Sequence, residues 1–116
     1  MCSICGMIDF KQSQNVSKAL VQEMGKVLRH RGPDQNDCYV GENVVFQHNR
    51  LAVIDIANGL QPMKCTYEGR EYVIVYNGEI YNTVELRRLI EKKGITLLSV
   101  IQKLYFIYIF YLKKTV

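Results

Sequence analysis

Met1-Cys2-Ser3-Ile4-Cys5-Gly6-Met7-Ile8-Asp9-Phe10 sets a thiol directly behind the initiator methionine, at the head of an apolar run. Ser3 to Phe10 is short and mostly apolar, which reads as a buried strand. Cysteine is small, so loss of Met1 is expected, leaving Cys2 with a free α-amine. An α-amine accepts a proton near neutral pH, so one residue then holds a soft nucleophile and its own base. A buried, inert thiol is the competing reading of Cys2 taken alone. The Cys2-x-x-Cys5 spacing also occurs in metal sites, but residues three apart on a strand point to opposite faces. Cys38 and Cys65 form no second such pair, and structural zinc takes four ligands. No metal is expected.

Downstream, Asn15 to Ser17 offer caps for a helix to about Arg29, with Leu20, Val21, Met24, Val27 and Leu28 on one face. Arg31-Gly32-Pro33-Asp34 ends it as a loop. Cys38–Val40 and Val44–His48 flank Gly41-Glu42-Asn43 as a hairpin, and Arg50–Ile56 reads as a further strand before the loop Ala57-Asn58-Gly59. Met63–Tyr67 and Glu71–Tyr76 make a second hairpin around Glu68-Gly69-Arg70. A helix follows from Asn82 or Thr83 to about Lys93, with Leu86, Leu89 and Ile90 as its stripe and Gly94 as its stop. Hairpin-linked strands between two helices predict an α+β domain.

The chain's 116 residues suit one domain, and 48% hydrophobic with 22% charged residues is a globular composition. The net charge of +4 is not gathered into a basic block, so no nucleic-acid partner is expected. No secretory signal precedes Cys2, which favours reduced thiols and a cytoplasmic location. Residues 99–116 differ in character: Leu104 to Leu112 is an uninterrupted aromatic and aliphatic run. It is shorter than the roughly 20 residues needed to cross a bilayer. A buried helix or strand is the expectation there, with a membrane anchor the less favoured alternative.

MCSICG (Met1–Gly6), RHRGPD (Arg29–Asp34), RLAVID (Arg50–Asp55), QPM (Gln61–Met63) and YNGEIYN (Tyr76–Asn82) occur together and in that order. This set resembles the class II, N-terminal-nucleophile glutaminase domain of glutamine-dependent asparagine synthetases. The resemblance covers nearly all of Met1 to Gly94. It implies an αββα sandwich, incomplete here, with residues 1–98 as a partial amidotransferase domain. It also implies that Cys2 attacks the side-chain amide of L-glutamine. Asn77 and Gly78 would form the oxyanion hole, Arg50 would pair with the substrate's α-carboxylate, and Glu79 would meet its α-amine. Leu51, Ala52, Val53 and Ile54 would line the pocket. His30 and His48 are expected to be structural, since the amine of Cys2 supplies the base.

No cofactor is implied in this stretch; ATP and magnesium belong to a synthetase domain that the chain does not include. Such a domain, or a homologous chain, is the implied partner. One departure stands out. The family's Ser-Asp-x-Glu-Val-Ile stretch is replaced by Leu98-Ser99-Val100-Ile101-Gln102, and no Asp or Glu follows Glu91. The family aspartate that helps hold the substrate's amine is therefore missing. An inactive remnant of the same ancestry, acting as an interaction protein through its tail, is the alternative reading.

Overall fold

The computed structural model describes residues 1–11, 15–53, 56–57, 59–67, 69–78 and 80–92. They fall in two compact units, one of Met1–Val53 and Leu60–Asn77, the other of Ile54–Gly59 and Gly78–Val116. The expectations for Ile54, Asn58, Glu68, Glu79, the end of the second helix and the apolar tail lie outside the described residues.

The first unit holds strands β1 (Ser3–Ile8), β2 (Gln35–Val40), β3 (Val44–Arg50), β4 (Met63–Tyr67) and β5 (Arg70–Ile74), with helix α1 (Lys18–Val27). β1, β3 and β2 make a three-stranded sheet in that order, and β4 and β5 make a two-stranded one. Both are antiparallel throughout: Ser3 pairs with Asn49, Gln35 with Arg50 and Met63 with Ile74. The molecule is therefore α+β with small antiparallel sheets, as the residue pattern predicts.

Alternation along β3 sorts its side chains onto two faces. Val45, Gln47 and Asn49 face α1; Phe46, His48 and Arg50 face the other way. On the first face Asn49 Nδ2 donates to the carbonyl of Gly25 (2.8 Å) and to Ser3 Oγ (3.1 Å), and its Oδ1 accepts from Gln47 Nε2 (3.3 Å). Ser3 Oγ donates in turn to the carbonyl of Leu28 (3.2 Å). Two carbonyls at the C-terminal end of α1, which also accept the amides of Leu28 and Arg31, are thus tied to β1 and β3. On the second face Tyr39 Oη donates to Glu71 (2.8 Å), Lys64 Nζ lies 4.8 Å from the centre of the Tyr39 ring, and His48 reaches the carbonyl of Tyr76.

Ser17 caps α1 by accepting from the amide of Leu20. The expected apolar face of this helix is only partly used. Val21 is fully buried, whereas Leu20 and Val27 are 52% and 75% exposed. Gly25 explains the difference, because a Cβ there would sit 2.6 Å from Gln47 Cγ. The helix meets the sheet along the Val21–Gly25 line, which turns Leu20 and Val27 aside. The loop after it begins as a 3-10 turn, Arg29–Arg31.

Two further expectations change. β2 starts at Gln35 and β3 runs on to Arg50, so the first hairpin is longer than the pattern suggests. Conversely, Leu51 to Val53 form no separate strand. The amide of Ala52 donates to the carboxylate of Asp34 (2.8 Å), a side-chain bond in place of a ladder. In the second unit α2 spans Thr83–Glu91, and the amide of Leu86 bonds the carbonyl of Asn82. Among the described residues the buried apolar side chains are Val21, Val45 and Met63. No described helix is long and apolar enough to cross a membrane.

Two predictions follow from this packing. A Cβ on Gly32 would overlap the carbonyl of Asn49 and lie 2.7 Å from the amide of Arg50, both backbone atoms. Gly32→Ala should therefore lower the unfolding free energy by about 1–3 kcal/mol in urea titration. His48 is fully buried, and burial pushes its pKa below 6.5; the hydrogen bond to Tyr76 acts the other way and Arg50 lowers it further. Between the folded pKa and 6.5 the unfolded chain takes up a proton that the folded chain refuses, so stability falls as pH drops through that window. His48→Gln should flatten this part of the stability–pH curve.

Candidate active site

Cys2 stands one step beyond the Ser3–Asn49 pair, which brings it beside Arg50 at the end of the central strand. Its sulfur touches the residue after that arginine on both backbone groups. The amide of Leu51 donates to Cys2 Sγ (3.3 Å), and the thiol lies 3.6 Å from the carbonyl of Leu51. Because β3 ends at Arg50, Leu51 is free to turn its backbone toward β1 instead of continuing the ladder. Asp34 holds the turn from the other side, since its amide donates to the carbonyl of Arg50 (3.0 Å) while its carboxylate takes the amide of Ala52. The Gly32-Pro33-Asp34 loop, with no Cβ on Gly32, is what lets Asp34 come that close.

The other described thiols are different. Cys5 faces α1, with its sulfur 3.7 Å from the carbonyl of Val21, so Cys2 and Cys5 have separate surroundings. Burial pushes the Cys5 thiol up, and the neighbouring Cys38 adds to it. Burial also raises Cys38, opposed by Lys18 and reinforced by Asp37. Both are held in the protonated, weakly nucleophilic form.

Arg50 is 5% exposed and shares its face of β3 with His48. His48 Nε2 lies 3.1 Å from the carbonyl of Tyr76, which accepts and so requires the proton on Nε2. Nδ1 is then a bare acceptor, buried without a partner among the described residues. Gln61 meets the same residue: its Nε2 donates to the Tyr76 carbonyl (3.0 Å) and its Oε1 accepts from the Tyr76 amide (2.6 Å). Asn77 follows directly and is exposed.

Of the residues singled out in the sequence, the structure brings Cys2, Arg50, Leu51 and Ala52 together. Val53 is 73% exposed at the end of this stretch. Gly78 belongs to the second unit and is exposed, and Ile54 and Glu79 lie outside the described residues. His30 is exposed, with a ring nitrogen 3.1 Å from the carbonyl of Val27. Asp34, Gln35 and Gln61 were not singled out as site residues. Asp34 and Gln61 lie in RHRGPD and QPM and Gln35 just beyond the first of these, but a hydrogen bond to distant backbone leaves no mark on spacing. A groove of about 440 Å³ between α1 and β2, lined by Lys18, Lys26, Arg29, Cys38 and Gln47, does not include Cys2.

Comparison with known proteins identifies the family of the chain. The glutamine amidotransferase domain family matches residues 1–101. The chain is 46% identical over 94 residues to asparagine synthetase [glutamine-hydrolyzing] 3 of Bacillus subtilis, covering 81% of this chain and 15% of that protein. It is 37% identical over 87 residues to asparagine synthetase B of Escherichia coli, covering 75% and 15%. It is 40% identical over 88 residues to asparagine synthetase 1 of Arabidopsis thaliana, covering 76% and 15%. The chain thus spans about 15% of the length of these relatives. It belongs to the glutamine amidotransferase domain family.

Proposed function

We propose that this chain carries the glutamine-hydrolysing half-site of an asparagine synthetase, with Cys2 as nucleophile. The observation that carries the reading is the position of Cys2 Sγ, against the backbone of Leu51 and beside the buried Arg50. Once Met1 is removed, the α-amine of Cys2 takes the thiol proton as sulfur attacks the side-chain amide carbon of glutamine. The C–S bond forms, the C–N bond breaks, and the same proton leaves with the nitrogen as ammonia. Water then cleaves the γ-glutamyl thioester, releasing glutamate and restoring the thiol.

Asn77 and Gly78 donate to the tetrahedral oxygen, through a side-chain amide and a backbone N–H. Each such donor is worth about 2.7–4 kcal/mol. Arg50 pairs its planar fork with the α-carboxylate, Leu51, Ala52, Val53 and Ile54 border the substrate, and Glu79 meets its amine. No cofactor enters these steps. ATP and magnesium serve the later synthesis, on a synthetase domain or homologous chain that receives the ammonia. The helix, three-stranded sheet and two-stranded sheet of the first unit support reading the fold as one side of an αββα sandwich. Reduced thiols suit the cytoplasm.

The test is intact mass before and after treatment with a diazoketone analogue of glutamine. Met1 is 75% exposed, and the untreated chain should have lost it; retention of methionine closes this mechanism. One adduct is expected, blocked by excess glutamine and absent in Cys2→Ala. A processed chain that takes no adduct has kept the family's motifs without its chemistry. Arg50→Lys keeps the charge but loses the fork, and should raise the half-maximal analogue concentration about tenfold or more.

A further inference from the structure

Gln61 is 6% exposed, and both ends of its side-chain amide are spent on the backbone of one distant residue. Its Oε1 accepts from the amide of Tyr76 and its Nε2 donates to the carbonyl of the same residue. A side chain here copies the two-sided pairing that a neighbouring strand would provide. The backbone of Gln61 is held in the same manner one step earlier. Gln35 Nε2 donates to the Gln61 carbonyl (3.2 Å), and Gln35 Oε1 accepts from the Gln61 amide (3.4 Å). Gln35 itself is fixed in the sheet opposite Arg50. A chain of amide-to-backbone clamps therefore runs from the strand end beside the nucleophile to the peptide that precedes Asn77.

We infer that Gln61, seated by Gln35, is a positioning residue that fixes the Tyr76–Asn77 peptide so that Asn77 is aimed before substrate arrives. The inference rests on the glutaminase reading for the role of Asn77, but the clamp itself does not. Gln61 touches no reacting atom. It acts by removing the freedom of the segment that carries a donor, and misplacing such a group by about 1 Å costs about a hundredfold in rate. Binding through Arg50 does not depend on it. Loss of the clamp therefore lowers kcat and leaves KM nearly unchanged.

The experiment combines glutamine hydrolysis with amide exchange of the full chain by nuclear magnetic resonance. Gln61→Met fills the same space without hydrogen bonds, and should speed exchange of the Tyr76 amide about tenfold and reduce kcat about a hundredfold. In Gln61→Glu an acceptor for the Tyr76 amide remains, but the ionised carboxylate cannot donate to the carbonyl. Its kcat relative to the parent chain should recover as pH falls and the introduced carboxyl regains a proton, a response that mere loss of packing would not give. Unchanged Tyr76 exchange in Gln61→Met overturns the clamp. Faster exchange with unchanged kcat overturns its role in positioning. A parent chain that never hydrolyses glutamine refutes the functional reading instead, and the clamp is then decided by Tyr76 exchange alone.

Discussion

The side-chain amide of Asn49 is the interaction on which the first unit depends. It lies at the crossing of α1, β1 and β3, 1% exposed, and its bonds to Gly25, Ser3 and Gln47 are made inside the protein. Removing a partner from such a network leaves polar groups buried without compensation, which costs more than the bonds return when made. Because Asn49 fixes the rotation of β3, it also fixes the opposite face, where His48 and Arg50 emerge. The position of Cys2 follows, since β1 is registered to β3 by the pair next to it.

A run of polar residues from Gln47 to Arg50 makes a poor strand core by composition, yet every one of them is buried. The reason is that this strand serves two layers. Asn49 bonds the helix side with Gln47 donating to it, and His48 serves the loop after β5. Arg50 ends the strand next to the nucleophile. A tight interior of this kind needs backbone to approach backbone, which is why the Asp34 loop meets β3 at a glycine.

Much of this was legible in the residues. Hairpins, helices and their order came from turn signals and periodicity, and the Cys2–Arg50 neighbourhood was implied by the resemblance of the motifs. Periodicity overstates the apolar stripe of α1 because it ranks apolar side chains and ignores a missing one. Gly25, with no side chain, decides which line of the helix comes closest. Leu51 to Val53 look like a strand since they are an unbroken apolar run, but a carboxylate from Asp34 takes the amide a ladder would need. The Gln35–Gln61–Tyr76 clamps could not be read at all, as they join residues far apart in sequence through backbone atoms that every residue has.

An interior held mostly by amides and an imidazole also has a thermal signature. Apolar surface raises the heat capacity of unfolding when exposed, whereas polar surface lowers it. With Val21, Val45 and Met63 as the buried apolar side chains among the described residues, beside buried Ser3, Gln47, His48, Asn49, Arg50 and Gln61, the two contributions offset one another. The stability of this unit therefore follows a shallow curve with temperature, slow to decline on cooling.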